Sequence, residues 1–475
     1  MIDHNAIDAQ LRSQSTMSLE YNKAVSQLLS LADFERKSRA NDPPNFHLKR
    51  VERLLQYLGN PHQGQKYIHV AGSKGKGSTS ALIAWSLAGT GYKTGLCTSP
   101  SIHKITERFR INGVPISEKE FSDLITKLWP AVEQVKSDND IGTVSVFELE
   151  TAMAFCHFAN VGADISVIEV GLGGRLDSTN IITPLVSVIT PISLDHVNVL
   201  GGTIELIAKE KAGIIKPGIP VVLATQKLEA YEVICSTAHQ QKSHVIDSQS
   251  NVEILNIEDR GLNGVQLEFK IGKETIRSHL PLLGAHQIDN FRTAMAALQQ
   301  VNIMALPINF TASAAHIKTI KWPARNQLVA HASANKNAIF VDGAHNDASA
   351  RALCKSIQSL FPERNQTIFI IGVISGHDPS GLVKELMPLN PKIIVTESRH
   401  PKSLTHFKLK ETLDKSKITV AGTSRNTMEA LNKAKCMAHS GDLIIATGSL
   451  FIAAEIIEIE HKLNPEIYPD INPFR

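Results

Sequence analysis

Tyr67-Ile68-His69-Val70-Ala71-Gly72-Ser73-Lys74-Gly75-Lys76-Gly77-Ser78-Thr79 is the stretch on which the reading of the whole chain turns. Four residues with apolar character, Tyr67 to Val70, form a short strand. Three glycines, Gly72, Gly75 and Gly77, then make a turn that carries Lys74 and Lys76, and a helix-like run follows Ser78 and Thr79. This composition suits a phosphate cradle. Glycines let backbone N–H groups turn inward, a lysine offsets phosphate charge, and a helix N-terminus adds its partial positive charge. The strict G-x-x-x-x-G-K-[ST] pattern is not met, because Gly77 separates Lys76 from Ser78. A glycine- and lysine-rich turn also suits an exposed loop; its position between strand and helix favours the phosphate.

Outward from that turn, the totals bound the answer. A chain of 475 residues is too long for one ordinary domain. Its 43% hydrophobic and 20% charged residues provide large cores. A formal charge of +3 and 5% aromatic residues argue against nucleic acid or an anionic membrane as principal partner. The five cysteines are scattered without a C-x-x-C pair, so they read as reduced thiols, not a disulfide frame or a zinc site. The N-terminus MIDHNAIDAQ lacks an apolar core and does not read as a signal peptide. No apolar run is long enough to span a bilayer. The expectation is a soluble, cytoplasmic, monomeric protein.

Residues 18–35 and 48–58 carry amphipathic helical stripes, separated by a break at Arg39 to Pro44. Beyond the glycine turn, Ala81, Leu82, Trp85 and Ala88 keep helical spacing, and Lys93 to Thr98 reads as a second strand. Strand, turn, helix and strand make one βαβ unit of a mostly parallel sheet. Further strands are expected at Ile165 to Val170 and Val186 to Thr190. The glycines of GLGGR after the first of these do not complete a G-x-G-x-x-G fingerprint, since its last position falls on Leu176. Residues 250–280 alternate about Asn263-Gly264 as a hairpin. His286, Gln287 and Asn290 precede an alanine-rich helix, where capping is the plain explanation. A boundary near Lys321 divides a first domain, residues 1–320, which carries the glycine turn, from a smaller Rossmann-like α/β domain, residues 321–475. The fold class is therefore α/β, with a P-loop-type parallel sheet followed by a second α/β unit.

Ser99, Glu169 and His196 each lie at or just after the carboxyl end of a strand in one expected sheet. Parallel sheets bind ligands at that edge. Oxygen ligands with one imidazole beside a nucleotide phosphate suit Mg²⁺, which takes few protein groups and keeps its waters. The first strand of the C-terminal unit ends similarly, in Asp342-Gly343-Ala344-His345-Asn346.

The strings HVAGSKGKGST, GLCTSPSIHKITER, VIEVGLGGRLDSTN, ISLDH, KEKAGIIKPG, GAHQIDN, WPAR, VDGAHN and TGSL follow one another in order. Together they resemble the folylpolyglutamate synthase/dihydrofolate synthase family of the Mur ligase superfamily, over residues 45 to 455. The family's usual turn, G-T-N-G-K-G-S, is here GSKGKGS, with Ser73 and Lys74 in place of Thr and Asn. The resemblance implies an ATP-dependent amide ligase that adds L-glutamate to tetrahydrofolate and to dihydropteroate through an acyl phosphate. It implies that the turn from Gly72 through Ser73, Lys74, Gly75, Lys76 and Gly77 to Ser78 holds ATP, with Asn290 and Arg325 as further nucleotide contacts. It makes Ser99, Glu169 and His196 magnesium ligands. Lys211 matches a lysine that is carbamylated in the family and can then hold a second metal ion. Asp342 and His345 match residues facing the nucleotide and the incoming glutamate, and Asp177 matches an aspartate linked to pterin binding. Two rival readings stand beside this one. A Mur-type ligase of UDP-muramyl peptides would need a domain ahead of the turn, for which too little chain is expected. A P-loop NTPase without ligase activity would not need Glu169, His196, Lys211, Asp342 and His345.

Overall fold

The computed structural model describes residues 19–31, 47–138, 141–333 and 336–466. Eight strands form the first sheet: β1 (Tyr67–Ala71), β2 (Thr94–Cys97), β3 (Phe109–Ile111), β4 (Val114–Pro115), β5 (Ile165–Glu169), β6 (Val186–Ile189), β7 (Val221–Leu223) and β8 (Val245–Asp247). Their order is β4-β3-β2-β5-β1-β6-β7-β8. From β2 to β8 neighbours run parallel, while β3 and β4 add an antiparallel edge. β1, β5 and β6 are buried at every position, which is why they read as unbroken apolar runs.

Helices cover both faces. Lys76–Gly89 and His286–Met304 pack with Ile68, Val70 and Val188 on one side. Glu118–Ser137 and Val146–Asn160 pack with Tyr67 and Ile168 on the other. The last two helices start at serine capping boxes, Ser117 with Glu120 and Ser145 with Glu148. Glu148 also pairs with Arg50 at 3.0 Å, both side chains buried.

A second, antiparallel sheet contains β9 (Val252–Asp259), β10 (Val265–Ile271) and β11 (Glu274–Leu280), ordered β11-β10-β9. The expected hairpin is thus a three-stranded meander, with a second reversal at Gly272, where φ is 58°. The third sheet contains β12 (Gln327–Ala330), β13 (Ala338–Val341), β14 (Thr367–Ile371), β15 (Pro391–Val395), β16 (Gly422–Thr423) and β17 (Leu443–Thr447). Its order is β12-β13-β17-β14-β15-β16, parallel except for β12. Ile320 packs in the core of the first sheet and Ala324 in that of the third.

Three expectations about elements are adjusted. Of the helix read over 18–35, residues 19–29 are helical, while 32–35 and the break at 39–44 lie outside the described residues. The helix after the glycine turn begins at Lys76, so Lys76, Gly77 and Ser78 are its first residues. Asn290 lies inside the helix His286–Met304, whose N-cap is Ala285 without a side-chain bond, so the polar trio does not cap it.

Candidate active site

The sheet order β2-β5-β1-β6 sets four carboxyl ends side by side, and with them Ser99, Glu169, Gly72 and Asp195-His196. Crowding explains two of the turn's glycines. At Gly72 (φ 149°) a Cβ would stand 1.8 Å from Thr190 Oγ1, and at Gly75 (φ 81°) 2.4 Å from Asn290 Oδ1. The backbone N–H groups of Ser73 and Lys74 both donate to Pro191 O, at 3.0 and 3.1 Å, and Ser73 Oγ donates to Ser193 O. Their amides are therefore already used in tying the turn to the end of β6. The helix behind the turn closes its first bond from Thr79 N–H to Gly75 O at 2.8 Å. The amides before it, from Lys76 to Ser78, are those a helix N-terminus leaves for an anion.

Two ammonium groups converge on one carbonyl: Lys76 Nζ donates to Gly72 O at 3.2 Å and Lys211 Nζ at 2.7 Å. Lys211 is only 4% exposed. Burial and then the Lys76 charge push its pKa down to about 7, with Asp195 opposing. A large share of the amine is thus neutral at neutral pH, the form that reacts with CO₂. Glu169, 5% exposed, accepts from Ser99 N–H at 3.2 Å. Burial raises its pKa, while Lys76, the Ser99 amide and Arg325 pull it back. His196 sits in the left-handed region (φ 50°) at the start of a single helical turn, Val197–Leu200. Although 51% of its side chain is exposed, desolvation first, with Lys76 and Lys211, lowers its pKa to about 4 against Asp195. Its imidazole is neutral at neutral pH, as a metal ligand requires.

Among the described residues no three His, Cys, Asp or Glu side chains cluster closely enough to cage a metal ion. The donors on hand, a serine hydroxyl, one buried carboxylate and a neutral imidazole, fit a hard cation that retains most of its water.

The third sheet brings its own edge to this cleft. Arg325 lies between two left-handed residues, Ala324 (φ 57°) and Asn326 (φ 45°). Asp342 holds that turn in place: its carboxylate accepts from Asn326 N–H and Ala344 N–H, both at 2.8 Å. Arg325 feels the charges of Asp342 and of Glu169, one from each sheet. Asp342 is thus a residue that orients Arg325. His345 has Nδ1 2.9 Å from Gly343 O and Nε2 2.9 Å from Lys74 Nζ. Lys74 Nζ also donates to Asp195 Oδ2 at 3.0 Å. Burial disfavours the Asp195 charge, but His345, Lys74 and His196 outweigh it and hold its carboxyl far below the usual range.

Asn290 Oδ1 lies 3.4 Å from Thr79 Oγ1, and its Nδ2 donates to Gln287 Oε1 at 3.0 Å. Asp177 is buried and accepts from Leu172 N–H and Thr179 N–H at 2.8 and 3.0 Å, so it shapes the GLGGRLDSTN loop. Residues absent from the sequence-based set also line the cleft. The Trp322 ring would stand 3.3 Å from a Cβ on Gly77 and packs edge-on against Trp85. The His377 ring lies 5.0 Å from that of His345 and 6.2 Å from that of His196. A strand-end position after β14 is the signal that could have marked His377.

A family signature described as the Mur ligase middle domain matches residues 70–298, and one described as the dihydrofolate synthetase C-terminal domain matches residues 325–459. The chain is 33% identical to a dihydrofolate synthase/folylpolyglutamate synthase of Bacillus subtilis, over 86% of this chain and 94% of that protein. It is 30% identical to a dihydrofolate synthetase of Saccharomyces cerevisiae, over 87% of this chain and 98% of that protein. Among solved structures, a Mycobacterium tuberculosis folylpolyglutamate synthase complexed with ADP and AMPPCP superposes with a TM-score of 0.80 at 28% identity, covering 88% of this chain and 96% of that one. The α/β architecture is shared with that solved structure, and the chain belongs to the dihydrofolate synthase/folylpolyglutamate synthase family of ATP-dependent ligases.

Proposed function

We propose that this chain joins L-glutamate to tetrahydrofolate and to dihydropteroate, activating the folate-side carboxylate with ATP as an acyl phosphate. One observation carries the reading. Lys76, Lys211 and Glu169 from the first sheet share a cleft with Arg325 and His345 from the third, so a phosphoryl donor and an amine acceptor can meet between two units. We take those units to be residues 1–320 and 321–475.

The helix amides from Lys76 to Ser78 and the Lys76 ammonium hold the ATP phosphates. The acceptor carboxylate attacks the γ-phosphorus, ADP leaves, and the glutamate amine then displaces phosphate from the acyl carbon. This is positioning and electrostatics, with no covalent enzyme intermediate. Arg325, oriented by Asp342, bears positive charge toward the nucleotide across the junction. Ser99, Glu169 and His196 would hold Mg²⁺, and a carbamate on Lys211 would supply an oxygen ligand for a second ion. When bound, magnesium offsets charge on the transferring phosphoryl group. Asp177, buried in the loop after β5, shapes the pterin side.

The test is incorporation of labelled glutamate, run separately with dihydropteroate, tetrahydrofolate and a UDP-muramyl peptide. Glutamate transferred to both folate acceptors and not to the muramyl peptide is the expected result. Incorporation into neither folate acceptor would overturn the reading.

A further inference from the structure

Lys74 is the member of the glycine turn that phosphate binding does not explain. Its side chain is 23% exposed and two of its three ammonium protons are engaged, by Asp195 Oδ2 at 3.0 Å and by His345 Nε2 at 2.9 Å. His345 Nδ1 lies 2.9 Å from Gly343 O. A carbonyl oxygen only accepts, so Nδ1 carries the proton, and Nε2 presents its lone pair to Lys74. One cation thus joins the glycine turn, the end of β6 and the end of β13. An asparagine at this position, the residue of the family's usual turn, would end well short of His345.

We infer that Lys74 is a positioning residue that acts through His345. It fixes the tautomer and place of that imidazole relative to the glycine turn, so that amine transfer depends on Lys74. The inference rests on the ligase reading above for its kinetic consequence, and on the hydrogen bonds alone for its structural one. Asp195 is the third member of the contact: it pairs with Lys74 and stands 3.9 Å from His345 Nε2, keeping positive charge at this junction balanced.

A double-mutant cycle of Lys74→Met and His345→Gln tests it in the full chain. Two readings are taken: kcat/KM for glutamate and the ¹⁵N spectrum of His345. Each single variant should lower kcat/KM for glutamate by about tenfold or more, the scale of a lost charged hydrogen bond. The double variant should be no worse than the worse single, because the two residues act as a unit. The ¹⁵N pattern of a hydrogen-bonded Nε2 with a protonated Nδ1 should be present in the native protein and lost in Lys74→Met. Multiplicative losses in the cycle or an unchanged ¹⁵N pattern would each overturn the inference. If Lys74→Met does not fold because Asp195 is left unpaired, Lys74→Met with Asp195→Asn removes the stranded charge and serves in its place. A native protein that ligates no glutamate would remove the ligase reading alone, and the spectrum would still decide this one.

Discussion

Replacing Lys211 by methionine separates what this lysine does for the fold from what it does for the reaction. Burial first, and Lys76 second, lower its pKa from 10.5 to about 7. Between those two values the unfolded chain keeps a proton on Lys211 that the folded chain has released. Stability therefore rises with pH across that window. At about 1.4 kcal/mol per pH unit, the native state carries a penalty of several kcal/mol that is complete below pH 7 and gone above pH 10.5. Methionine fills the same channel without a charge. Its cost is the bond to Gly72 O, about 1 kcal/mol, and that carbonyl keeps Lys76 Nζ at 3.2 Å. Lys211→Met should thus melt above the native protein at pH 6.5. The advantage should shrink as pH rises and reverse near pH 10, while ligation is lost throughout. Thermal unfolding from pH 6 to pH 10 in CO₂-free buffer measures this directly. A variant that melts lower at pH 6.5, or a difference that does not vary with pH, would refute the reasoning.

Two other substitutions probe the cleft. Gly75→Ala adds a Cβ 2.4 Å from Asn290 Oδ1 at a φ of 81°, so left-handed strain and overlap together should cost about 2–4 kcal/mol; a drop in melting temperature with weakened ATP binding is expected, and unchanged stability would contradict the geometry. Glu169→Gln can still accept from Ser99 N–H but loses its charge, so magnesium should activate turnover only at higher concentration while the melting temperature moves little; an identical magnesium dependence would exclude Glu169 as a ligand.

The parts of this site that were legible in the sequence are those fixed by the backbone. A glycine turn between strand and helix has few alternatives. Parallel strands must present Ser99, Glu169 and His196 at one edge once their order is β2-β5-β1-β6. Side-chain direction was not legible. Nothing in GSKGKGS says that Lys76 reaches back to Gly72 O while Lys74 reaches across to His345. Nor does the sequence show that the Asp342 oxygens accept from the Asn326 and Ala344 amides, a fact set by the left-handed turn around Arg325. Asn290 sits where a cap is plausible, and only the packing of its helix against Thr79 and Gly75 gives it another place. β3, β4, β7 and β8 are absent from the strands read in the first sheet for a related reason: each spans only two or three residues, too few for a pattern to detect.

Transfer of oxygen tests the central claim most directly. Dihydropteroate carrying ¹⁸O in its carboxylate, incubated with ATP, magnesium and glutamate, should deliver one ¹⁸O atom to inorganic phosphate for each amide bond formed, because the carboxylate oxygen that attacks phosphorus leaves with it. Phosphate free of ¹⁸O, with the amide nevertheless formed, would contradict an acyl phosphate made in this cleft.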